Sequence, residues 1–460
     1  MPEAVAHSSN TPNRLGADSI ARLLVHYSLP AIVGMTATSL YNVVDRIFIG
    51  NGVGPLAIAG LALTMPIMNL TAAFGAMIGA GASTTVSIRL GQQRHQDAVH
   101  TLGNTLVLNL IIGLGITFFG LVFLEPILIL FGASPATLPF AKDFMQIILL
   151  ANLFNHNFIG LNNVMRASGY PKKAMWSSIL TVLVNIGLAP VFIFAFGWGI
   201  RGAALATALA QLVGFVWVMF HFMNPSSFLH FQKGTFRLKK RIVKDIISIG
   251  LSPFLIHTTA SLVAVVINVS LGYYGGTDGD LAIGAYGIIN SIILLFLMIV
   301  MGLNMGMQPI AGYNFGAQKM DRVVHVYKLT MIAASIVTIV GFLLAMLFPT
   351  SIVGLFTDHA PLRDLSASAM RIAMIVFPIV GFQMVTTNFF QSIGKVRLSI
   401  FLSLSRQLIF LIPGLILFPR MWGLTGVWIA IPFGDFCASL VTLFVILKQY
   451  KQLVRQGSRF

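Results

Sequence analysis

The sequence predicts an all-α integral membrane protein with twelve transmembrane helices in two pseudo-symmetric six-helix lobes. Composition is the first observation behind this. Of 460 residues, 57% are hydrophobic and 9% charged, with a mean hydropathy of +0.87, which no soluble globular class matches. The second is an internal repeat. Gly81, Gly91 and Gly169 return 225 positions later as Gly306, Gly316 and Gly394, as do Leu130-Phe131 (Leu355-Phe356) and His100 (His325). Pro30 and Pro190 come back 223 positions on as Pro253 and Pro413, and Gly202 returns as Gly426. A near-constant offset marks two similar halves. The third is that basic residues gather on alternate loops, as the helices of a multi-pass protein require.

The elements follow in chain order. Residues 1–20 are polar, contain Pro2 and Pro12, and read as a short N-terminal tail. The next apolar run is too long for a signal-peptide core and reads as an uncleaved first helix. A helix needs about 20 apolar residues to cross roughly 30 Å of hydrocarbon. Runs of that kind place spans at 22–49, 56–80, 99–123, 141–163, 173–196 and 202–222 in the first lobe (21–222). A polar, basic linker at 223–245 follows. The second lobe (246–447) repeats the pattern at 246–272, 282–308, 323–348, 366–389, 398–418 and 424–447, and a basic tail occupies 448–460. Six crossings per half is an even number, so both halves have the same orientation and relate by an axis along the membrane normal. That arrangement is typical of secondary transporters.

A formal charge of +16 raises nucleic acid as a partner, but the placement of the charge argues otherwise. Of 29 Lys and Arg residues, 22 fall in the two tails and every second loop, six of them between Lys233 and Lys244. This is the positive-inside pattern; it places both termini in the cytoplasm and accounts for the charge without nucleic acid. The single cysteine, Cys437, lies inside the last span, which excludes a disulfide framework and a cysteine metal site.

An acid in hydrocarbon is expensive and is a functional candidate by default. Two of the 13 acids are placed within spans, Asp45 and Asp435. Asp45 lies late in the first span, where a carboxyl in a low-dielectric setting could load and release a proton; the alternative is an ion pair. Adjacent residues on a helix point about 100° apart, so Arg46 is a poor partner for it. Asp435 in the twelfth span and Arg406 in the eleventh fall at similar depth and should neutralise each other as a structural tie; a second proton or substrate site is the competing reading. Asp435 corresponds to Gln211 in the first half. Asn152, Asn155, His156, Asn157, Asn162, Asn163, Asn185, Thr207 and Gln211 form a polar cluster, most of it read as interhelical hydrogen bonding. His156 is a proton-relay candidate for which packing is the preferred reading, and His257 reads the same way.

At these residues the chain resembles the multidrug and toxic compound extrusion (MATE) family, in its MepA-type bacterial branch. The resemblance rests on Val44-Asp45-Arg46-Ile47-Phe48-Ile49-Gly50, Arg166-Ala167-Ser168-Gly169, Asn185 with Pro190, and Gly202-Ala203-Ala204-Leu205-Ala206-Thr207. In the second half it rests on Gln391-Ser392-Ile393-Gly394, Ser405-Arg406-Gln407, and Gly426-Val427-Trp428 with Pro432 and Asp435. It implies the MATE fold and an antiporter that expels organic cations in exchange for protons or sodium, in the plasma membrane of a bacterium. The cation-coupling set it implies is Asp45, Asn185, a carboxylate at position 189, and Thr207. Position 189 is Ala. A proton needs one carboxylate whereas sodium gains from each negative ligand, so proton coupling through Asp45 is favoured, and a weaker sodium site at Asp45, Asn185 and Thr207 stays open.

No enzyme, cofactor or resident metal is expected. The partners are small lipophilic cationic drugs or dyes and the bilayer, with the chain a monomer. Such substrates suit an apolar, aromatic pocket with few acids, for which Tyr41, Met65, Met68, Phe158, Phe296, Met305, Gln308, Asn388 and Phe389 are candidates. A flippase for a lipid-linked or amphiphilic substrate is the alternative. It would favour a cationic cavity, and the interior offers only Arg46, Arg371 and Arg406. An aspartate-rich metal motif, a Walker loop and a channel-filter signature are all missing from the sequence.

Overall fold

The computed structural model describes residues 13–457, and every regular element among them is helical. Residues 1–12 and 458–460, the outer parts of the two expected tails, lie outside the described residues. Twelve spans occur in the expected order. They are α1 (Ile20–Gly52), α2 (Pro55–Gly91), α3 (His95–Val122), α4 (Leu138–Ala167), α5 (Pro171–Ala195) and α6 (Gly199–Met223), then α7 (Lys240–Gly275), α8 (Gly279–Gly316) and α9 (Met320–Leu347). The tenth, α10, is a pair, Ala360–Ala373 and Phe377–Ser392, bent by 56°. The last two share one continuous run from Val396, broken at Gly423 (φ 54°, ψ −137°) into α11 before it and α12 after it, up to Gly457. Short helices Leu124–Leu130 and Pro349–Gly354 follow α3 and α9 at equivalent points of the two halves.

Several helices outrun their apolar cores. The hydropathy of the second span fades near residue 80, yet α2 continues to Gly91. The added turns are rich in Ser and Thr that satisfy themselves: Thr85 Oγ1 donates to the Gly81 carbonyl (2.8 Å) and Ser87 Oγ to that of Ser83 (2.9 Å). A hydroxyl bonded four residues back needs no water, so polar residues remain helical and buried there.

The repeated glycines mark two kinds of position. Gly169 and Gly394, in the turns before α5 and α11, have φ of 101° and 71°, where a side chain would be strained. Gly81, Gly91, Gly306 and Gly316 are crossing points. A methyl at Gly81 would strike the backbone of Ile246, and at Gly91 that of Tyr313; at Gly306 it would strike Ser28, and at Gly316 Ile88.

Of the described residues, one compact unit contains 13–19, 29–254 and 312–317, and the other 20–28, 255–311 and 318–457. The start of α1 therefore belongs to the second unit, and the start of α7 to the first. The first has a core of Ile49, Leu61, Phe144, Met145, Leu149 and Ile193. The second has one of Ile267, Leu271, Ile289, Met370, Phe377 and Trp428.

Two of the equivalent prolines adjoin π-helical stretches. Val191–Ala195 follows Pro190, with the Phe196 N–H bonded to the Val191 carbonyl at 3.0 Å. Ser405–Leu411 precedes Pro413, with the Ile412 N–H bonded to the Gln407 carbonyl. Proline removes a backbone donor and crowds the preceding turn, and a widened turn is one way a helix absorbs that loss.

Candidate functional site

The site in the first unit is assembled from α1, α5 and α6. Tyr41 and Asp45 are one turn apart on α1, so both side chains leave the same face. From α5, Asn185 Nδ2 donates to Thr207 Oγ1 of α6 at 3.0 Å, and the same hydroxyl meets Tyr41 Oη at 3.2 Å. Asn185 and Thr207 are 2% and 6% exposed, and Tyr41 is half-buried, so the Asn185–Thr207 bond is shielded from solvent. It ties α1 to the α5–α6 pair one turn from the carboxyl.

Asp45 itself is 7% exposed, and its Oδ1 is buried with no hydrogen-bond partner. Arg46 is exposed and turns its Nη2 toward Met65 Sδ, 3.8 Å away. Among the described residues no base lies within ion-pair distance of Asp45. An uncompensated charge in such a setting is costly, and a proton is the smallest ligand that removes it. Ala189, where the resemblance implies a second carboxylate, is fully buried in the apolar core with Ile49, Ile193 and Ala203. Packing fills that position.

The remaining sequence candidates divide between the units. Gln211 follows Thr207 by one turn of α6, with its Oε1 buried and unpartnered. His156 on α4 is fully buried against Gly75 of α2, with its ring beside the Thr71 backbone. In the second unit, Arg406 Nε donates to Asp435 Oδ1 at 2.6 Å. The arginine lies in the widened turn of α11, beside Gln407, which accepts from Thr259 of α7.

Of the cavity candidates, Phe158 packs in the interior against Gly214, and Phe389 packs against Tyr327 and Phe390. Both are core side chains here, because small or flat neighbours close over their rings. Met65 and Met68 are half-buried on α2 near the Asp45 site, with Met68 Sδ accepting from Thr64. In the second unit Phe296 meets Phe377 edge-on, Asn388 Nδ2 bonds the Met384 carbonyl, and Met305 and Gln308 are half-buried on α8. A separate apolar cavity of about 740 Å³ opens among α2, α3 and α4, walled by Leu70, Phe74, Phe119, Phe123 and Phe131. None of the nine candidates lines it.

Sequence reading missed three features of the polar framework. Tyr41 belongs to the Asp45 neighbourhood as a hydrogen-bonding group, and its four-residue spacing from Asp45 was the available signal. Tyr327 Oη meets Thr386 Oγ1 at 2.9 Å. Arg89 Nη2 pairs with Asp245 Oδ2 at 2.6 Å, although both stand in loops by hydropathy.

Comparison with known proteins reproduces the two-fold pattern. The MatE family profile matches twice, over residues 30–191 and again over 254–416. The chain belongs to the MatE family. Multidrug export protein MepA of Staphylococcus haemolyticus (strain JCSC1435) is 26% identical over 428 residues, 93% of this chain and 93% of that one. The same-named protein of Staphylococcus aureus (strain MRSA252) is 26% identical over 429 residues, 93% and 94% of the two chains. A solved structure described as the outward-facing conformation of a multidrug resistance MATE family transporter of the MOP superfamily matches this MatE chain with a TM-score of 0.90. It is 25% identical, and the match covers 97% of this chain and 99% of that one. The relatives are transporters and not enzymes, and their fold of twelve helices in two lobes is the fold of this MatE protein.

Proposed function

We propose that this MatE chain is a secondary active multidrug antiporter that exports lipophilic organic cations in exchange for protons. The observation that carries the reading is Asp45, a carboxyl buried in a membrane span, with one oxygen unpartnered and, among the described residues, no base in ion-pair range. Its neighbours among the described residues supply hydroxyl and amide groups but no second carboxylate, because Ala189 is packed into the core. One carboxyl suffices for a proton, whereas sodium gains from each negative ligand. The relatives' names support multidrug export, and the first-unit geometry supports coupling at Asp45.

In the mechanism, a proton reaches Asp45 while the pathway is open to the outside. Its binding removes a buried charge one turn from the Tyr41–Thr207–Asn185 chain and changes how α1 packs. Drug leaves outward, the lobes rock to open inward, the proton departs to the cytoplasm, and another cation enters. The protein works as a monomer in a bacterial plasma membrane with both termini in the cytoplasm. The test is dye-cation transport by purified protein in liposomes, driven separately by a pH gradient and by a sodium gradient. Uptake under the pH gradient alone, lost in Asp45→Asn, supports the reading. Uptake under sodium alone overturns the coupling, and failure of both gradients to move any cation overturns the antiport.

A further inference from the structure

The segment between α6 and α7 reads in sequence as a linker, yet it is folded onto the first unit as a strap. Asn104 of α3, fully buried, holds it by three bonds. Its Nδ2 donates to the carbonyls of Thr235 (3.2 Å) and Arg237 (3.1 Å), and its Oδ1 accepts from the Lys239 N–H (2.9 Å). The Phe231 N–H bonds the Phe222 carbonyl at 2.9 Å, and the Phe228 N–H bonds Tyr170 Oη at 3.2 Å. So pinned, the strap and the start of α7 expose six basic side chains: Lys233, Arg237, Lys239, Lys240, Arg241 and Lys244. None has an acid within ion-pair distance among the described residues, since the neighbouring Asp245 is taken by Arg89. Between them Phe236 and Leu238 are 45% and 41% exposed.

We infer that this strap is a docking surface for anionic phospholipid headgroups of the bilayer that holds the chain. Charge complementarity decides the occupant. A cluster of four to eight bases next to a span attracts anionic lipid, and apolar side chains among bases are what an interfacial segment inserts. Positive charge that served topology alone would need no fixed arrangement. Here three hydrogen bonds from one buried asparagine fix where Arg237 and Lys239 stand.

The test is native mass spectrometry of the full-length protein taken from mixed phosphatidylglycerol and phosphatidylcholine bilayers with matched acyl chains. Wild type should retain phosphatidylglycerol preferentially. The variant Lys233→Gln, Arg237→Gln, Lys240→Gln, Arg241→Gln should lose that preference by about tenfold or more, while Arg237→Lys, Arg241→Lys keeps it. Asn104→Ala, which leaves every charge but releases the strap, should lose several-fold. Monodisperse elution checks that each variant is folded. An equal loss on replacing Lys319, Arg322, Lys328 and Lys395 by Gln would reduce the effect to net charge and overturn the site. So would an unchanged Asn104→Ala, or displacement of the lipid by excess inorganic phosphate.

Discussion

Among the described residues the two units contain one buried acid each within a span, and treat it in opposite ways. In the first, Asp45 has a buried oxygen without a partner and, among the described residues, no base in ion-pair range. In the second, Asp435 is held by Arg406 at 2.6 Å. The sequence repeat makes the contrast sharper, because Gln211 occupies the first-half position equivalent to Asp435, and Asn268 stands at the second-half position equivalent to Asp45. A scaffold duplicated in sequence thus carries a carboxyl with an unpartnered oxygen in one half and an ion-paired one in the other. A proton taken up by Asp435 would have to be exchanged against an arginine contact, whereas one at Asp45 replaces nothing. Under the proposed antiport, coupling would fall in the first unit, and the Arg406–Asp435 pair of the second would serve as a tie.

Substitutions can break this comparison. The largest effect is expected from Asp45→Asn, which should lower pH-driven dye transport by about a hundredfold or more while leaving thermal stability in detergent near wild type, since no salt bridge is lost. Moving the acid to the other half (Asp45→Asn with Asn268→Asp) should not restore transport. Recovery in that double variant would show that the units are interchangeable.

The ion pair should behave in the reverse manner. Arg406→Leu leaves Asp435 uncompensated and should destabilise the protein by about 3 kcal/mol, seen as a lowered unfolding midpoint in a denaturant series. Arg406→Leu with Asp435→Leu should recover most of the loss, because the pair is then replaced by apolar packing. A double variant no better than the single would assign Asp435 a role beyond the pair.

A smaller change is expected at Thr207→Val, which keeps shape and removes the hydroxyl that joins Asn185 to Tyr41. Leaving buried Asn185 and half-buried Tyr41 short of a bond should cost about 1–2 kcal/mol. It should also slow transport several-fold without changing which gradient drives it, whereas a switch of driving ion would move coupling onto Thr207. The smallest effect is expected at the paired turns. Gln93 and Gln318 both adopt left-handed backbone, with φ of 61° and 60°. Replacing either with Gly should change stability by under about 1 kcal/mol, relieved strain being offset by added chain entropy, and the two replacements should match each other.

Much of the fold was legible because hydrocarbon imposes a length on every span. An apolar run of about 20 residues has few alternatives, so all twelve spans could be placed. The overruns of α2 and α8 were hidden because polarity normally signals a helix leaving the membrane, while here Thr85 and Ser87 satisfy themselves on the backbone. The strap was hidden for a different reason. Asn104 grips Thr235 across 131 residues of sequence, and no local pattern encodes such a bond. In the site, Asp45 announced itself through the cost of burying a carboxyl, and Asn185 and Thr207 came from the family resemblance. The bond from Tyr41 to Thr207 depends on how α1 lies against α6, which periodicity does not specify.

The exchange of helix ends between the units has a consequence for biogenesis. The first unit includes residues 240–254 of α7 and 312–317 of α8, so it is not complete when the first six spans have left the ribosome. Until α7 arrives, the bare glycine surface of α2 at Gly81 has no backbone to lie against, and until residue 317 has been made, neither has Gly91. The order of synthesis thus leaves the first unit unfinished until more than two thirds of the 460-residue chain has been made, and a chain cut at the strap would leave it permanently open.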